Sequence, residues 1–270
     1  MLCCPVCRRP IESDGRSLRC QNGHCFDLSK RGYVNLLTAE AMRSKSPGDN
    51  RLMVEARRSF LEKGFYRPLS DAVNRAAAEA LAGIERPVIL DAGCGEGYYT
   101  ARLCEALPFS EIVGMDISKT AVDKAARLTK GVTWVVASVF HTPMADGCCD
   151  LVLNLFAPYC GDEYRRLLKP NGRLIMAIPA AEHLWELKQA VYERPYKNEV
   201  KDYSLDGFAL EARREVDYMM NLLSQEDIDS LFKMTPYYYK TGAADQQRLT
   251  AYQRLDVRAS FELLIYKNKD

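Results

Sequence analysis

The chain has 270 residues, 47% apolar and 27% charged, with a formal net charge of +1. That is an ordinary globular mixture, which excludes a mostly disordered chain, and the length suits one large domain or one plus a small module. No run of about 18 apolar residues predicts a transmembrane helix, and Met1-Leu2-Cys3-Cys4-Pro5 lacks the basic flank and apolar stretch of a secretory signal.

Charge is unevenly spread. Residues 1–67 hold 13 Lys/Arg against 7 Asp/Glu, whereas residues 68–179 hold 11 against 13 and residues 180–270 hold 13 against 16. A cationic first quarter attracts polyanions, although a solvated face would carry the same charge. Five of the ten cysteines (Cys3, Cys4, Cys7, Cys20, Cys25) also fall there. Without a secretory signal a reducing, cytoplasmic compartment is expected, and disulfides are then a poor reading. Cys4-Pro5-Val6-Cys7 followed by Cys20-Gln21-Asn22-Gly23-His24 offers two short ligand-bearing turns that can close a tetrahedron around zinc. The preferred ligands are Cys4, Cys7, Cys20 and His24; Cys3 could replace Cys4, and Cys25 could replace His24. Four protein ligands leave no open position, so such a metal would be structural, and a segment this short needs it to stay folded.

Residues 26–50 look irregular and polar. A helix is predicted from about residue 50 or 51 to Leu61, with Leu52, Ala56 and Phe60 on one face and Arg51 and Arg58 on the other, ended by Gly64. An alanine-rich helix follows over about 67–82. Strands and helices then alternate: strands at 88–91, 111–116, 132–137, 150–154 and 173–178, with helices at 98–106, 118–128 and 162–168 between them. This predicts an α/β fold, a doubly wound, mostly parallel sheet covered on both faces. A capped helix at 224–233 and a strand at 261–266 close the chain.

Asp91-Ala92-Gly93-Cys94-Gly95-Glu96-Gly97 follows the first of these strands and opens a helix. The glycines allow positive φ and close approach of a ligand to backbone, at the carboxyl end of the sheet where ligands bind. A dinucleotide fold prefers G-x-G-x-x-G facing a pyrophosphate. Here the third glycine comes one residue early and an acid precedes the first, which resembles motif I of S-adenosylmethionine-dependent methyltransferases. Asp91 suits the cofactor's ammonium and would repel a pyrophosphate. Asp116, ending the second strand, can accept both ribose hydroxyls. Many such enzymes hold the adenine amino group with an Asp after the third strand; this chain has Ala137-Ser138-Val139, leaving Ser138 or backbone groups.

The cysteine module, Gly32-Tyr33-Val34-Asn35-Leu36-Leu37, Pro47-Gly48-Asp49, Ala56-Arg57-Arg58-x-Phe60-Leu61, Gly64-x-Tyr66-x-Pro68-Leu69, Gly93 to Thr100, Phe156-Ala157-Pro158, His183-Leu184-x-Glu186-Leu187-Lys188 and Met234-Thr235-Pro236 follow one another in an order that resembles the bacterial 23S ribosomal RNA guanine-N1 methyltransferases. The resemblance covers essentially the whole chain. It implies a class I methyltransferase (Rossmann-like) domain over 68–270, a basic linker and helix over 38–67, and a zinc-binding RNA-recognition module over 1–37. It implies methyl transfer from S-adenosylmethionine to N1 of a guanine in a hairpin of 23S rRNA, by a homodimer with no membrane or DNA partner; one branch of the family is linked to macrolide resistance. It also implies that Cys4, Cys7, Cys20 and His24 hold zinc, and that Tyr66, Gly95, Glu96, Gly97, Tyr98, Asp116 and His183 line the cofactor. Without the resemblance, His183 reads as a helix-surface histidine.

N1 of guanine is paired in a duplex, so the base must be unpaired or flipped and must lose a proton. The loop after the fourth strand of the alternation brings Asn154, Phe156 and Tyr159 to where the base should arrive: the rings as stacking candidates, Asn154 as an acceptor for the guanine edge. Asp49 is one candidate base and water another. Arg8, Arg9, Arg16 and Arg19 are candidate RNA contacts in the module. Alternatives are methylation of another RNA or a small molecule, or a non-catalytic RNA-binding relative.

Overall fold

In this computed structural model, residues 1–38, 48, 50–199 and 202–269 are described. The first short strands, β1 (Ile11–Ser13), β2 (Ser17–Cys20) and β3 (Cys25–Asp27), form an antiparallel sheet in the order β1-β2-β3. They lie within the cysteine module, where the sequence reading places ligand-bearing turns and no strands, because turns and not an apolar face shape it. Next come β4 (Val34–Asn35), α1 (Arg51–Glu62), α2 (Arg67–Ala80), β5 (Val88–Ala92), α3 (Tyr98–Ala106), β6 (Glu111–Asp116), α4 (Lys119–Ala125), β7 (Val132–Val136), β8 (Cys149–Leu155), α5 (Gly161–Leu167) and β9 (Leu168–Pro179). The chain ends with α6 (Trp185–Val191), β10 (Phe208–Leu222), α7 (Gln225–Lys233), α8 (Tyr237–Lys240), α9 (Ala243–Arg248), a 3-10 turn and β11 (Leu255–Asn268).

One eight-stranded sheet carries the molecule, in the order β10-β11-β9-β8-β5-β6-β7-β4. The pairs from β4 to β9 are parallel, while β11 runs antiparallel to β9 and β10 to β11. The core strands read as continuous apolar runs because both faces are covered: all seven residues of β8 are buried. From β5 the chain winds outward through β6 and β7, then returns to β8 on the other side. The loop after β5 therefore sits at the topological switch point, where the crossovers diverge and leave a crevice.

Two regions depart from the sequence reading. Leu52 is 44% exposed, and the buried residues of α1 are Val54, Phe60 and Leu61. The helix is rotated from its expected face because it packs along α7, where Lys63 Nζ reaches Asp227 Oδ1 at 2.6 Å. The long β10 goes unpredicted because it is the sheet's edge: from Val216 to Leu222 it alternates between buried or half-buried and exposed residues, but its first half carries runs of exposed charge that mask the period. Residues assigned by sequence to the module are structurally continuous with the large sheet. Val34 and Asn35 pair with Val135 and Val136 of β7.

Gly114 of β6 faces Trp134 of β7 so closely that an added Cβ would lie 2.4 Å from the indole. Gly114→Ala is expected to lose about 1–3 kcal/mol through overpacking. Urea unfolding checks this, with a lower midpoint and an unchanged slope as the expected result.

Candidate active site and metal centre

The three glycines of the loop after β5 do different jobs. Gly93 has φ of 90°, and a Cβ there would lie 2.4 Å from the Cβ of Ala157, so the loop after β8 presses directly on it. Gly97, at φ of 86°, would place a Cβ 2.7 Å from Ala125 and 2.8 Å from Trp134. Gly95 instead faces open space, with only Arg57 Nη1 near, at 3.8 Å from an added Cβ. Two glycines let the protein close on itself; the middle one leaves room for a ligand.

Acids surround that room. Asp91 is 1% exposed; its Oδ2 accepts from the Thr100 hydroxyl at 2.6 Å, and its Oδ1 has no hydrogen-bond partner among the described residues. Burial pushes its carboxyl up to about 6. A buried, half-satisfied carboxylate is the kind of group that an ammonium would complete. Asp116 accepts from the Gly95 N–H at 3.0 Å on one oxygen and from the Ser118 N–H at 2.7 Å on the other, which fixes its carboxylate at the strand end beside the glycine loop. Glu96 is buried, 3.9 Å from the Arg57 guanidinium. Ser138 lies just past the end of β7, buried, with its hydroxyl oxygen accepting from the Phe140 N–H at 3.2 Å. Tyr98, half-buried, opens α3 with Arg102 over its ring at 5.8 Å. The open glycine, the orphaned acid and the strand-end carboxylate together fit S-adenosylmethionine.

His183 is 6% exposed, not a surface histidine. Its Nδ1 accepts from the Ser260 N–H at 3.2 Å, which leaves the proton on Nε2, 3.5 Å from the Tyr66 hydroxyl. Burial, then the nearby Lys188, hold its imidazole down at about 3, so it is neutral at physiological pH. Its ring lies 4.4 Å from Phe261, which also packs edge-on against Tyr66 at 5.1 Å and lies 5.5 Å from Phe156. Phe156 in turn lies 6.4 Å from Tyr99. An aromatic wall thus joins Tyr66 and His183 to the glycine loop. The sequence reading named neither Phe261 nor Tyr99: the strand pattern gives Phe261 no mark beyond an ordinary core residue, and the tyrosine pair 98–99 marks only one site position.

Phe156 has φ of 64°, rare for a bulky residue, and its ring is 45% exposed. Asn154 stands beneath this loop. It is 1% exposed, and its amide donates to Pro158 O at 3.1 Å and to the Tyr164 hydroxyl at 2.7 Å. Buried and tied to Tyr164 through its amide nitrogen, it braces the loop. Tyr159 is 38% exposed and packs edge-on against Tyr164. Asp49 lies outside the described residues. Its neighbour Gly48 lies against Ile117 and Ser118, one strand end from Asp116.

In the module, the ligand atoms of Cys4, Cys7, Cys20 and His24 all lie within 4.8 Å of one another. Cys7 Sγ is 3.7 Å from Cys20 Sγ, and His24 Nδ1 is 3.4 Å from Cys4 Sγ and 3.3 Å from Cys20 Sγ. A tetrahedron with Zn–S bonds near 2.3 Å has edges of about 3.8 Å, so the set fits zinc. Cys3 is spent on backbone pairing with Pro143 and Pro10, and Cys25 is exposed on β3; neither joins the cluster. Arg8, half of whose side chain is exposed, also donates through Nη1 and Nη2 to Thr142 O at 2.7 Å and Met144 O at 3.0 Å, clamping the module to the large domain. Arg9, Arg16 and Arg19 remain exposed.

Residues 2–45 match the zinc-ribbon family described as "RlmA, N-terminal", and residues 89–172 match the methyltransferase domain family. A 23S rRNA (guanine(748)-N(1))-methyltransferase from Streptomyces fradiae is 39% identical over 189 residues, covering 70% of this chain and 66% of its own length. A Bacillus subtilis relative named for 23S rRNA guanine-N1 methylation is 34% identical over 275 residues, covering 98% of this chain and 96% of its own. A similarly named Micromonospora griseorubida relative is 39% identical over 201 residues, covering 68% and 67%.

The cluster predicts which cysteines matter for metal. Elemental analysis of purified protein is expected to give one zinc per chain. Cys20→Ser should lose it, whereas Cys3→Ser and Cys25→Ser should keep it; zinc loss in either of the latter would reassign the ligands.

Proposed function

The chain belongs to the 23S rRNA guanine-N1 methyltransferases, and we propose that it methylates N1 of one guanine in a hairpin of that RNA, gripped through its zinc module. The observation that carries the reading is the joining of two sites by an aromatic wall: the open Gly95 cradle with its acids, and the strained, exposed Phe156 across from it. S-adenosylmethionine, when bound, supplies a methyl already activated on a sulfonium. The remaining work is alignment and removal of one proton.

The residues divide that work. Asp91 receives the cofactor's ammonium, Asp116 its ribose and Ser138 its adenine end, while Tyr66, backed by neutral His183, closes the methionine side. Phe156 and Tyr159 stack on the extruded base, held at the right height by Asn154 through Pro158. The N1 proton passes to water or to Asp49; the freed N1 pair forms the N–C bond, and the C–S pair stays on sulfur. A site with neutral imidazole and protonated phenols offers little general base, which suits a reaction whose electrophile needs no further activation.

Arg9, Arg16 and Arg19 place part of the first quarter's positive charge on an exposed surface, which suits a folded polyanion read by shape and phosphate. The same reading includes a homodimer and work in the cytoplasm, where ribosomal RNA is made. Among the described residues no helix is long and apolar enough to cross a membrane.

Labelled methyl transfer to naked 23S rRNA, with mapping of the product, tests the activity; one N1-methylguanine in a hairpin is expected, and label elsewhere or none rejects it. Charge reversal at Arg9 and Arg16 should weaken RNA binding and flatten its salt dependence while leaving cofactor affinity intact.

Asp91 gives a pH signature. Below about 6 its carboxyl is protonated in the free protein, so binding an ammonium must first expel that proton. Calorimetry with S-adenosylmethionine should therefore show affinity rising by roughly tenfold from pH 5 to pH 7 and levelling above. Asp91→Asn should bind weakly at every pH, without the rise.

A further inference from the structure

Tyr99 has a buried hydroxyl with no hydrogen-bond partner among the described residues. It sits on the second residue of α3, directly after the glycine loop, and its ring lies 5.1 Å from Tyr98 and 6.4 Å from Phe156. Buried hydroxyls in native proteins nearly always find partners, so an orphan between a cofactor cradle and a strained loop calls for a ligand to complete it. Its surroundings are poor in groups that could take the proton: Tyr66, Tyr98 and Tyr218, themselves phenols, and the acid Glu96 are the titratable neighbours that act on it. Burial drives its ionisation well up, so at working pH it is a donor.

The chemistry of the base supplies what the hydroxyl lacks. When guanine N1 loses its proton, the negative charge spreads over N1 and O6, and O6 becomes a strong acceptor beside the attacking atom. The exposed ring of Phe156 lies 6.4 Å from that of Tyr99, so a base stacked at Phe156 would have α3 as its neighbour. We propose that Tyr99 is a catalytic residue: its hydroxyl donates to O6 of the target guanine and stabilises the charge that develops there as N1 is deprotonated. This rests on the guanine-N1 reading. The phenol keeps its own proton throughout; the N1 proton goes to water, and the electron pair it leaves behind attacks the methyl. A fixed donor aimed at developing charge in a water-poor site is the arrangement with the largest catalytic effect.

Tyr99→Phe removes only the oxygen. With the full-length zinc-loaded protein and a 23S rRNA hairpin transcript, kcat is expected to fall by roughly 10²-fold, with cofactor affinity unchanged by calorimetry. The rising limb of kcat against pH should move to higher pH, because the bound guanine loses its proton less readily, and the deficit should narrow in alkali. A binding cycle without cofactor gives an independent readout. Wild-type protein should bind the guanine hairpin tighter than one carrying 2-aminopurine, which lacks O6 and the N1 proton, by several-fold or more; Tyr99→Phe should lose the part of that preference owed to O6 and narrow it by several-fold. Turnover within twofold of wild type, a uniform loss with an unmoved pH profile, weakened cofactor binding, or undiminished discrimination between the two hairpins would each overturn the assignment. If wild-type protein transfers no methyl to guanine N1, the underlying reading fails instead, whatever Tyr99→Phe does.

Discussion

The near-contact between Gly93 and Ala157 sets the geometry on which everything else in the catalytic domain depends. Two loops leave adjacent parallel strands, β5 and β8, at the switch point of the sheet. With no Cβ on Gly93, they close to a distance that any other residue would forbid. That closure brings the loop carrying Phe156 and Ala157 against the loop carrying Gly93 and Gly95. Methyl transfer needs donor and acceptor atoms within roughly 3–3.5 Å of each other and in line. A loop held a side chain further away would separate them.

Rigidity beneath the loops serves the same end. Asn154 and Tyr164 form a closed triangle with Pro158 O, both donating to that carbonyl at 3.1 Å, and Tyr164 is fully buried. On the other side, both oxygens of Asp116 are fixed by backbone N–H groups before any ligand arrives. The entropy of ordering these groups is met in folding and not at each turnover. The metal module is fastened equally firmly. Arg8 spends its guanidinium on two carbonyls of the large domain, Cys3 N–H reaches Pro143 O at 2.8 Å, and β4 adds itself to β7. A module tied at three places moves with the catalytic domain, so RNA held by one is registered against the other.

Much of this was legible in the sequence for a simple reason. Parallel strands buried on both faces are short apolar runs bounded by turn residues, and a glycine-rich loop after such a run has few uses. The cysteine spacing likewise fixes two knuckles irrespective of the rest of the fold. The sequence was less informative wherever a residue's role depends on what arrives from far along the chain. Nothing local says that Arg8 faces Thr142, or that His183 is covered by Phe261. Nor does local sequence say that Leu52 turns outward because α7 covers the other face of α1. The edge strand β10 was invisible because half of its environment is solvent, and mixed charges hide its alternation. The bracing bond of Asn154 was equally hidden, because its partner Tyr164 lies ten residues on.

The distribution of charge in the site makes a final physical point. Carboxylates crowd the cofactor side, where the bound sulfonium and ammonium are positive. Burial keeps Tyr66 protonated and His183 neutral at the methionine end, and toward the base it keeps the Tyr99 hydroxyl protonated among aromatic rings. As the methyl moves, positive charge leaves sulfur and negative charge leaves the base, so the transition state is less polar than the separated ions. A water-poor, aromatic site disfavours separated charge and favours its cancellation, provided the guanine anion is held long enough to react. The protein therefore needs hydrogen-bond donors near O6 more than it needs a strong base near N1, because a cation there would stabilise the anion and blunt its attack. Neutral phenols meet that requirement.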